Sequence, residues 1–349
     1  MSAGCSINGK FLSQRITGPQ RYALEIVRAL DDLVESGTFE LCVPKDADVS
    51  ALALRNIGVS VVGSLTGIAW EQIELPRHSR ANGAILLNLC NSAPITRPGI
   101  VCFDDAYVRV IPENFRKSYV LWYRLLARSY ERRARGLFTI SEFSKAELGR
   151  FYPRFGSEAG VVPCAWQHME GIVGDDGVFE KEPGIRKGEY YLSIASAARN
   201  KNFGWVVEAA KRNPESVFVI AGGGSNVFSD AGIEERENVL RLGYVDDGEL
   251  KALMSCCKAF LFPSLYEGFG MPPLEALACG ARIVVSDIPV FREVYEGAAI
   301  YIDPHDPDIE LDRLLSDAPE GEAEDVLGRF SWKRSAEQVL ELVGARRVR

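Results

Sequence analysis

The segment AFLFPSLYEGFGMPPLEALACG, residues 259–280, passes from an apolar run through a glycine-containing loop into a helical pattern. Ala259–Phe262 has the composition of a buried strand, and Met271–Cys279 has that of a helix. Pro272 and Pro273 suit the first turn of that helix, where the missing N–H is not needed. The segment therefore predicts a strand–loop–helix unit.

Similar alternations of short β-branched runs with longer helical patterns fill the rest of the chain. In the second half, strands are predicted at Tyr190–Ala195, Val217–Ala221, Val239–Leu242 and Ile283–Ser286. In the first half, they are predicted at Glu40–Pro44, Ser60–Val62, Ala84–Leu89, Gly99–Phe103 and Phe138–Ser141. Strands that alternate with helices predict an α/β fold with parallel sheets covered on both faces.

A chain of 349 residues favours two domains of ordinary size. We expect a first domain over residues 1–165, a second over 166–331, and a linker at about residues 163–185. Residues 332–349 have the pattern of a terminal helix, which we expect to pack back toward the first domain.

Composition excludes several classes of protein. With 47% hydrophobic and 25% charged residues, the chain is globular rather than disordered. The net charge of −8 argues against a general nucleic-acid binder. No apolar run approaches the roughly 20 residues of a membrane-spanning helix. Because Lys10, Gln14 and Arg15 interrupt any early apolar stretch, we expect no signal peptide. No two of the 8 cysteines have the two-residue spacing of a zinc-binding Cys-X-X-Cys motif. We therefore expect reduced thiols in a cytoplasmic protein.

One segment is strongly basic although the net charge of the whole chain is negative. Residues 116–154 hold ten Lys and Arg against three Glu, interleaved with Tyr119, Trp122, Tyr123 and Tyr130. Such a segment can lie on an anionic membrane surface or bind a phosphate-bearing acceptor. The alternative is a solvated helix whose aromatic side chains face its own core.

In an open parallel α/β sheet, ligands bind beyond the carboxyl ends of the strands. In the second half those ends are predicted to be the loops at 196–202, 222–225, 243–247 and 263–270. Glu267 precedes the helix start and Glu275 follows it, so two carboxylates flank an anion site formed by free backbone amides. This arrangement suits a nucleotide sugar, which has hydroxyls on both sides of its phosphates. The alternative is a solvated Glu267 and a Glu275 that only complements the helix dipole.

These glutamates stand in the motifs YEGFG at 266–270 and PLEA at 273–276. Together the two motifs resemble the signature of the retaining glycosyltransferases of family 4. The resemblance extends over nearly the whole chain, through shorter motifs in the family's order. These are TGPQRY at 17–22, WEQ at 70–72 with Pro76, TISEFS at 139–144, NKN at 200–202, LGYV at 242–245 and FSW at 330–332. It implies the GT-B architecture, in which two Rossmann-like, doubly wound domains face a central cleft.

The resemblance also implies roles for the residues around the glutamates. Glu267 would hold hydroxyls of the donor sugar beside the backbone of Gly268, Phe269 and Gly270. Met271 and Pro272 would place the helix start against the donor phosphates, and Glu275 would bind the ribose.

Further residues are carried over from the same family. Lys201 would neutralise the donor diphosphate, and Arg199 would share that work. Tyr244 and Val245 would lie against the nucleobase. Gly18 and Gly222 are also expected to bind the donor. Arg21 would contact a charged acceptor.

The first domain departs from the family at one position. Asp104 stands where many relatives carry a histidine beside the reacting sugar. We expect Asp104 to bind a sugar hydroxyl or to stabilise positive charge at the anomeric carbon, and Asp104 with Asp105 to contact the acceptor. Adjacent like charges raise one pKa, so the two carboxyls can share a proton. The substitution equally fits an altered or lost activity.

The leading hypothesis is a hexosyltransferase that acts with retention, without metal or cofactor. Its donor would be GDP-mannose, with a UDP-sugar as the alternative, and its acceptor a glycan or polyprenyl-linked glycan. The competing hypothesis is a non-catalytic protein that binds nucleotide sugar or glycan. A nicotinamide-dependent dehydrogenase is disfavoured because no Gly-X-Gly-X-X-Gly motif follows a strand, and an epimerase would need acid–base residues that the sequence does not offer.

Overall fold

The computed structural model describes residues 4–50, 52–195, 199–222, 236–318 and 322–347. The chain divides into two compact units. The first comprises Met1–Cys164 together with Ser331–Arg349, and the second comprises Ala165–Phe330.

The first unit is built on a parallel sheet of 7 strands in the order β3-β2-β1-β4-β5-β6-β7. The strands are β1 (Cys5–Asn8), β2 (Phe39–Val43), β3 (Gly58–Val61), β4 (Ile85–Asn88), β5 (Ile100–Cys102), β6 (Gly136–Thr139) and β7 (Gly160–Val161). The α-helices are Gly18–Asp31, Gly67–Ala69, Leu75–Ala81, Tyr107–Val110, Lys117–Arg133, Glu142–Phe151, Pro153–Glu158 and Trp332–Arg347, and a π-helical turn over Trp70–Glu74 joins the second to the third. Because the strand order reverses between β1 and β4, this sheet has its topological switch point there.

The terminal helix Trp332–Arg347 completes the first unit. The Trp332 ring lies edge-on to Tyr22, with 5.9 Å between centroids. The Ser335 hydroxyl donates to the carbonyl of Pro163 at 2.8 Å. Trp332 and Tyr22 are both buried, so the last helix shares the core of the first unit although it follows the second unit in sequence.

The second unit contains a parallel sheet of 6 strands in the order β10-β9-β8-β11-β12-β13. The strands are β8 (Tyr190–Ala195), β9 (Val217–Gly222), β10 (Val239–Gly243), β11 (Ala259–Phe262), β12 (Ile283–Ser286) and β13 (Ala299–Ile302). The α-helices are Gly177–Lys181, Phe203–Arg212, Asp247–Cys256, Met271–Ala278, Pro289–Tyr295, Leu311–Asp317 and Ala323–Arg329. The switch point lies between β8 and β11, and buried side chains from both strands form the centre of the core.

The two doubly wound, Rossmann-like sheets confirm the predicted fold class. The predicted linker at 163–185 is wrong for most of its length, because Met169, Val178 and Ile185 are buried within the second unit. The Lys251 ammonium also donates to the carbonyls of Met169 and Ile172. The acidic, glycine-rich composition suggested a linker, but its few apolar residues are enough to anchor the segment.

Candidate active site

Two loops of the second unit meet at the switch point between β8 and β11. The amide of Leu265 donates to the carbonyl of Asn200 at 2.8 Å, and the Asn200 side chain donates to the carbonyl of Tyr266 at 2.8 Å. Asn202 donates to the carbonyl of Pro263 at 3.0 Å. These bonds fix the turn after β8 against the loop after β11. Residues 196–198 and 223–235, on which other parts of the predicted site fall, lie outside the described residues.

Lys201 and Glu267 form an ion pair across this junction. The Lys201 Nζ lies 2.7 Å from the Glu267 Oε1, and the two side chains are 20% and 13% exposed. The same ammonium lies 4.6 Å from the centre of the Phe262 ring, which adds a cation–π contact. The structure therefore brings together two residues that the resemblance assigned to different parts of one ligand.

Beside this pair lie buried polar atoms without a hydrogen-bond partner among the described residues. They are the Asn200 Oδ1 and the Ser264 Oγ. Ser264 is fully buried, and Asn200 is 6% exposed. A buried polar atom without a partner costs free energy, so such atoms in native proteins indicate a bound water or ligand group.

The helix Met271–Ala278 begins at the end of the same loop. Its N-cap, Gly270, has a φ of 94°, a conformation that favours glycine. A Cβ at this position would lie 2.5 Å from Cε1 of Phe291, and the Tyr295 hydroxyl donates to the Gly270 carbonyl. The close packing of Gly270 fixes where the helix starts, and amides at a helix start can stabilise an anion.

Glu275, in the second turn of this helix, is bound by a histidine that the sequence analysis did not assign. The His168 Nε2 lies 2.9 Å from the Glu275 Oε1, and the two side chains are 3% and 12% exposed. The adjacent Gln167 donates to the carbonyl of Phe330 at 2.9 Å, which holds the short 3-10 helix that carries His168. No local pattern could have revealed this pair, because 107 positions separate the two residues and His168 lay in the predicted linker.

The other residues predicted to bind the donor lie on the same edge of the sheet but differ in how exposed they are. Gly222 ends β9, and Tyr244 and Val245 follow β10, the outermost strand. Tyr244 is 71% exposed and Val245 is half-buried. Arg199 lies in the turn after β8 with an exposed side chain. The structure thus brings Lys201, Glu267 and the helix start together, while Gly222, Arg199, Tyr244 and Val245 follow or end strands at the same edge of the sheet.

In the first unit, Asp104 follows β5 and is held by Asn91. The Asn91 side chain donates to the Asp104 Oδ2 at 2.6 Å and accepts from the Asp104 amide at 2.7 Å. Burial raises the pKa of the Asp104 carboxyl to about 7, and the charge of Asp105 adds to the increase. The increase in the pKa of Asp104 agrees in direction with the expectation from adjacent like charges, although loss of hydration on burial is the larger cause.

The other site residues predicted in this unit are Gly18, Arg21 and Asp105. Gly18 begins the first long helix and is exposed, and Arg21 is half-buried in its first turn. The Cys90 thiol donates to the carbonyl of Pro19 at 3.0 Å, which ties this helix start to the loop after β4. Asp105 accepts from the amide of Tyr107 at 2.8 Å.

A buried ion pair at the switch point of the first sheet was also missed. The Lys10 Nζ lies 2.9 Å from the Glu71 Oε2, and it donates to the Ser92 hydroxyl at 3.0 Å. Asn8, at the end of β1, donates to the Glu71 Oε1 at 3.0 Å. Glu71 belongs to a motif that carried the family resemblance, but the resemblance assigned it no role.

The first part of the basic segment folds into the helix Lys117–Arg133, and the rest forms β6, the helix Glu142–Phe151 and the start of the helix Pro153–Glu158. Three of the four aromatic side chains of this helix face inward, as the second interpretation held: Tyr130 is fully buried, and Trp122 and Tyr123 pack partly buried against the core. The fourth, Tyr119, is 41% exposed. The same helix exposes the aliphatic residues Leu121 and Leu125, which are 70% and 48% exposed. Exposed basic residues flank them, at Lys117, Arg124, Arg128, Arg132 and Arg133.

A membrane-spanning helix would have to be longer and more apolar than any helix among the described residues.

Known proteins resemble this chain in sequence and in fold. Residues 177–321 match the family model "Glycosyl transferases group 1". The O-antigen chain mannosyltransferase RfbU of Salmonella typhimurium is 24% identical over 319 residues, which cover 86% of this chain and 87% of that protein.

Solved structures share the fold over nearly the full length. Sucrose-phosphate synthase from Thermosynechococcus elongatus superposes with a TM-score of 0.73 at 16% identity and covers 97% of both chains. Anabaena HepE, solved in complex with UDP-glucose, superposes with a TM-score of 0.71 at 15% identity, over 98% of this chain and 99% of that one. The family match therefore places a Glycosyl transferases group 1 domain in the second unit, and the solved structures show that the chain has the GT-B fold.

Proposed function

We propose that this glycosyltransferase moves a hexose from a nucleotide sugar to a glycan or polyprenyl-linked glycan, with retention of anomeric configuration. The observation that carries the proposal is the Lys201–Glu267 pair, held at the β8/β11 switch point beside the start of the helix Met271–Ala278. A cation and a carboxylate at this position match the charge and the hydroxyls of a sugar diphosphate. Mannose from GDP-mannose is the favoured donor, because the relative RfbU is named as a mannosyltransferase.

In this proposal the second unit binds the donor. Lys201 and the amides at the helix start face the diphosphate, with Arg199 contributing charge, while Glu267 accepts hydrogen bonds from sugar hydroxyls. Glu275 binds the ribose through the oxygen that His168 leaves available. Tyr244 lies against the base.

Departure of the nucleoside diphosphate places negative charge on its terminal phosphate. Lys201 and the helix amides stabilise that charge as it develops, which lowers the barrier to breaking the glycosidic bond. Because a cation and a helix dipole already stand at the diphosphate, we propose that transfer needs no divalent metal there. The departing phosphate is the group that takes the acceptor's proton in a front-face attack.

Asp104 and Asp105, with Arg21, are proposed to contact the acceptor. A carboxyl whose pKa is raised to about 7 is present in both protonation states near neutral pH, so Asp104 can donate to or accept from a sugar hydroxyl.

A donor panel tests this function. Thermal shift and calorimetry with UDP-, GDP- and ADP-sugars should show stabilisation by one nucleotide class, with GDP-mannose expected and a UDP-sugar as the alternative. Added magnesium should leave both binding and transfer unchanged. Stabilisation by none of these donors would contradict the proposal, and the anomeric configuration of the product, read by NMR, tests retention.

A second candidate is a GT-B protein that binds nucleotide sugar or glycan without turnover, and the aspartate at position 104 favours it. Donor binding without transfer or hydrolysis would support this candidate.

We also propose that the protein works in the cytoplasm with a peripheral contact to the inner face of the membrane. The exposed surface of the helix Lys117–Arg133 supports this proposal, because two exposed leucines among basic residues suit an anionic lipid interface.

A further inference from the structure

Three side chains of the first unit form a cluster that the proposed transfer reaction does not use. Glu40 and Cys42 lie on β2, and His78 lies on the helix Leu75–Ala81 that packs beside it. One ligand atom from each residue lies within 4.8 Å of the other two. We name these three residues the β2 cluster.

The β2 cluster is closed on the sheet side and reachable from solvent on the other. Cys42 is fully buried, whereas the side chains of Glu40 and His78 are 17% and 26% exposed. Residues two apart on a strand point to the same face, so Glu40 and Cys42 both face the helix that carries His78. A small ion can therefore enter beside the exposed edge and reach the thiol.

Two of the three spacings between donor atoms are close to those of a tetrahedral metal site. The Cys42 Sγ lies 3.5 Å from the Glu40 Oε2, and the His78 Nε2 lies 2.9 Å from the same oxygen. Around zinc, with bonds of about 2.0–2.3 Å, neighbouring ligand atoms lie roughly 3.3–3.8 Å apart. The sulfur–oxygen spacing already matches, and the nitrogen–oxygen spacing would have to widen by a few tenths of an ångström. The sulfur–nitrogen spacing lies within 4.8 Å and would have to fall in the same range once zinc binds.

The hydrogen bonding of His78 shows which contacts zinc binding would replace. Its Nε2 faces the Glu40 carboxylate and also lies 3.0 Å from the Nδ2 of Asn82. One imidazole nitrogen can donate to the carboxylate or accept from the amide, but it cannot do both. Zinc would take the single lone pair of this nitrogen, so the Asn82 amide would have to turn away from it on metal binding.

We propose that Glu40, Cys42 and His78 bind one zinc ion, with water as the fourth ligand. A thiolate, an imidazole and a carboxylate together favour zinc over the hard cations magnesium and calcium. On binding, the S–H bond of Cys42 breaks, the sulfur–zinc bond forms and the proton passes to solvent. The ion links β2 to the helix Leu75–Ala81, so its effect is to stabilise the first unit.

The test uses the full-length protein, reduced and treated with chelator, and zinc or cobalt alone as the probe. Calorimetry should show one zinc per chain with release of a proton, and the melting temperature should rise. Cobalt should give the near-ultraviolet band of a thiolate ligand. Cys42→Ser and His78→Asn should each weaken binding by at least about tenfold, since even loss of a supporting contact costs a zinc site that much.

Matched controls separate this site from adventitious thiol binding. Cys256 is a free, half-exposed cysteine outside the β2 cluster, so Cys256→Ser should keep both the stoichiometry and the cobalt band. His78→Asn changes a partly exposed side chain, which keeps the test valid if Cys42→Ser misfolds. Transfer activity of both ligand variants should equal that of the parent at room temperature. The proposal is overturned if zinc does not bind, if binding survives both ligand variants, or if Cys256→Ser abolishes it.

Discussion

The ammonium of Lys201 lies 2.7 Å from the carboxylate of Glu267, although the two residues come from loops that follow different strands. The pair is mostly buried, so each charge stabilises the other before any donor arrives. A donor diphosphate offers Lys201 a second anion, and sugar hydroxyls offer Glu267 new donors. The pair is therefore a prepared site whose two charges are already oriented when the donor binds.

Replacing Lys201 by alanine should reduce kcat by about 10²–10³-fold, or ~2.7–4 kcal/mol in the barrier, as for loss of one group that stabilises a developing anion. The reason is that the leaving diphosphate loses its cation. Steady-state transfer with the preferred donor measures the effect. Lys211→Ala removes an exposed lysine paired with Glu208 and should keep the parental rate. An unchanged kcat in Lys201→Ala would exclude the assigned role.

The contact itself can be tested without an activity assay. In a double-mutant cycle of thermal unfolding, Lys201→Ala and Glu267→Ala should be non-additive by about 0.5–3 kcal/mol, because each single variant leaves one partly buried charge unpaired. Strict additivity would mean that the two side chains do not interact in solution.

Removing the imidazole of His168 should weaken donor binding more than it slows the chemical step. His168 contacts Glu275 rather than the proposed reacting atoms, so it acts by orienting that carboxylate. His168→Ala is expected to raise KM for the donor about tenfold with a smaller change in kcat. His168→Gln, which retains a donor, should recover part of the loss. Equal falls in kcat for both variants, with KM unchanged, would argue against a positioning role.

Asp104→Asn should change how stability depends on pH. Burial raises the pKa of Asp104 from 3.8 to about 7, so between these values the folded protein binds more protons than the unfolded chain. The parent therefore loses stability as pH rises through this window. Asparagine does not titrate, so the melting temperature of the variant relative to the parent should rise between about pH 4 and 7 and then level off.

The exposed residue Asp46 provides the control for this measurement. Asp46→Asn makes the same substitution at an exposed position and shows how much of the profile comes from removing a surface carboxylate. The same profile for Asp104→Asn and Asp46→Asn would contradict the raised pKa of Asp104.

Charge introduced at the exposed leucines should weaken membrane binding. Leu121→Glu with Leu125→Glu removes apolar contact area and adds repulsion from anionic lipid, so sedimentation with phosphatidylglycerol-containing vesicles should fall several-fold. Val173→Glu, at a valine that is 86% exposed in the second unit, is the matched control and should have little effect. Equal binding by all three proteins would contradict a contact through this helix.

Much of the second unit could be predicted from sequence because its signals are local. The passage from Ala259–Phe262 through glycines and prolines into Met271–Ala278 depends on turn and helix-start chemistry within a few residues. Strand boundaries were predicted less precisely. In the first unit, for example, the predicted strand Phe138–Ser141 runs over Gly136–Thr139 in the structure. The segment around Met169 was mistaken for a linker because its composition does not show what its few apolar residues contact.

By itself, the sequence determined the alternation of strands and helices, the glycine-rich loop, and the spacing of Glu267 and Glu275, because residue periodicity and backbone preference act over short distances. Only the tertiary structure decided that Lys201 bonds to Glu267, that His168 bonds to Glu275, and that Asp104 is buried against Asn91. Those contacts join segments that are 66, 107 and 13 positions apart in the chain, and the order of strands in each sheet is what brings such segments together.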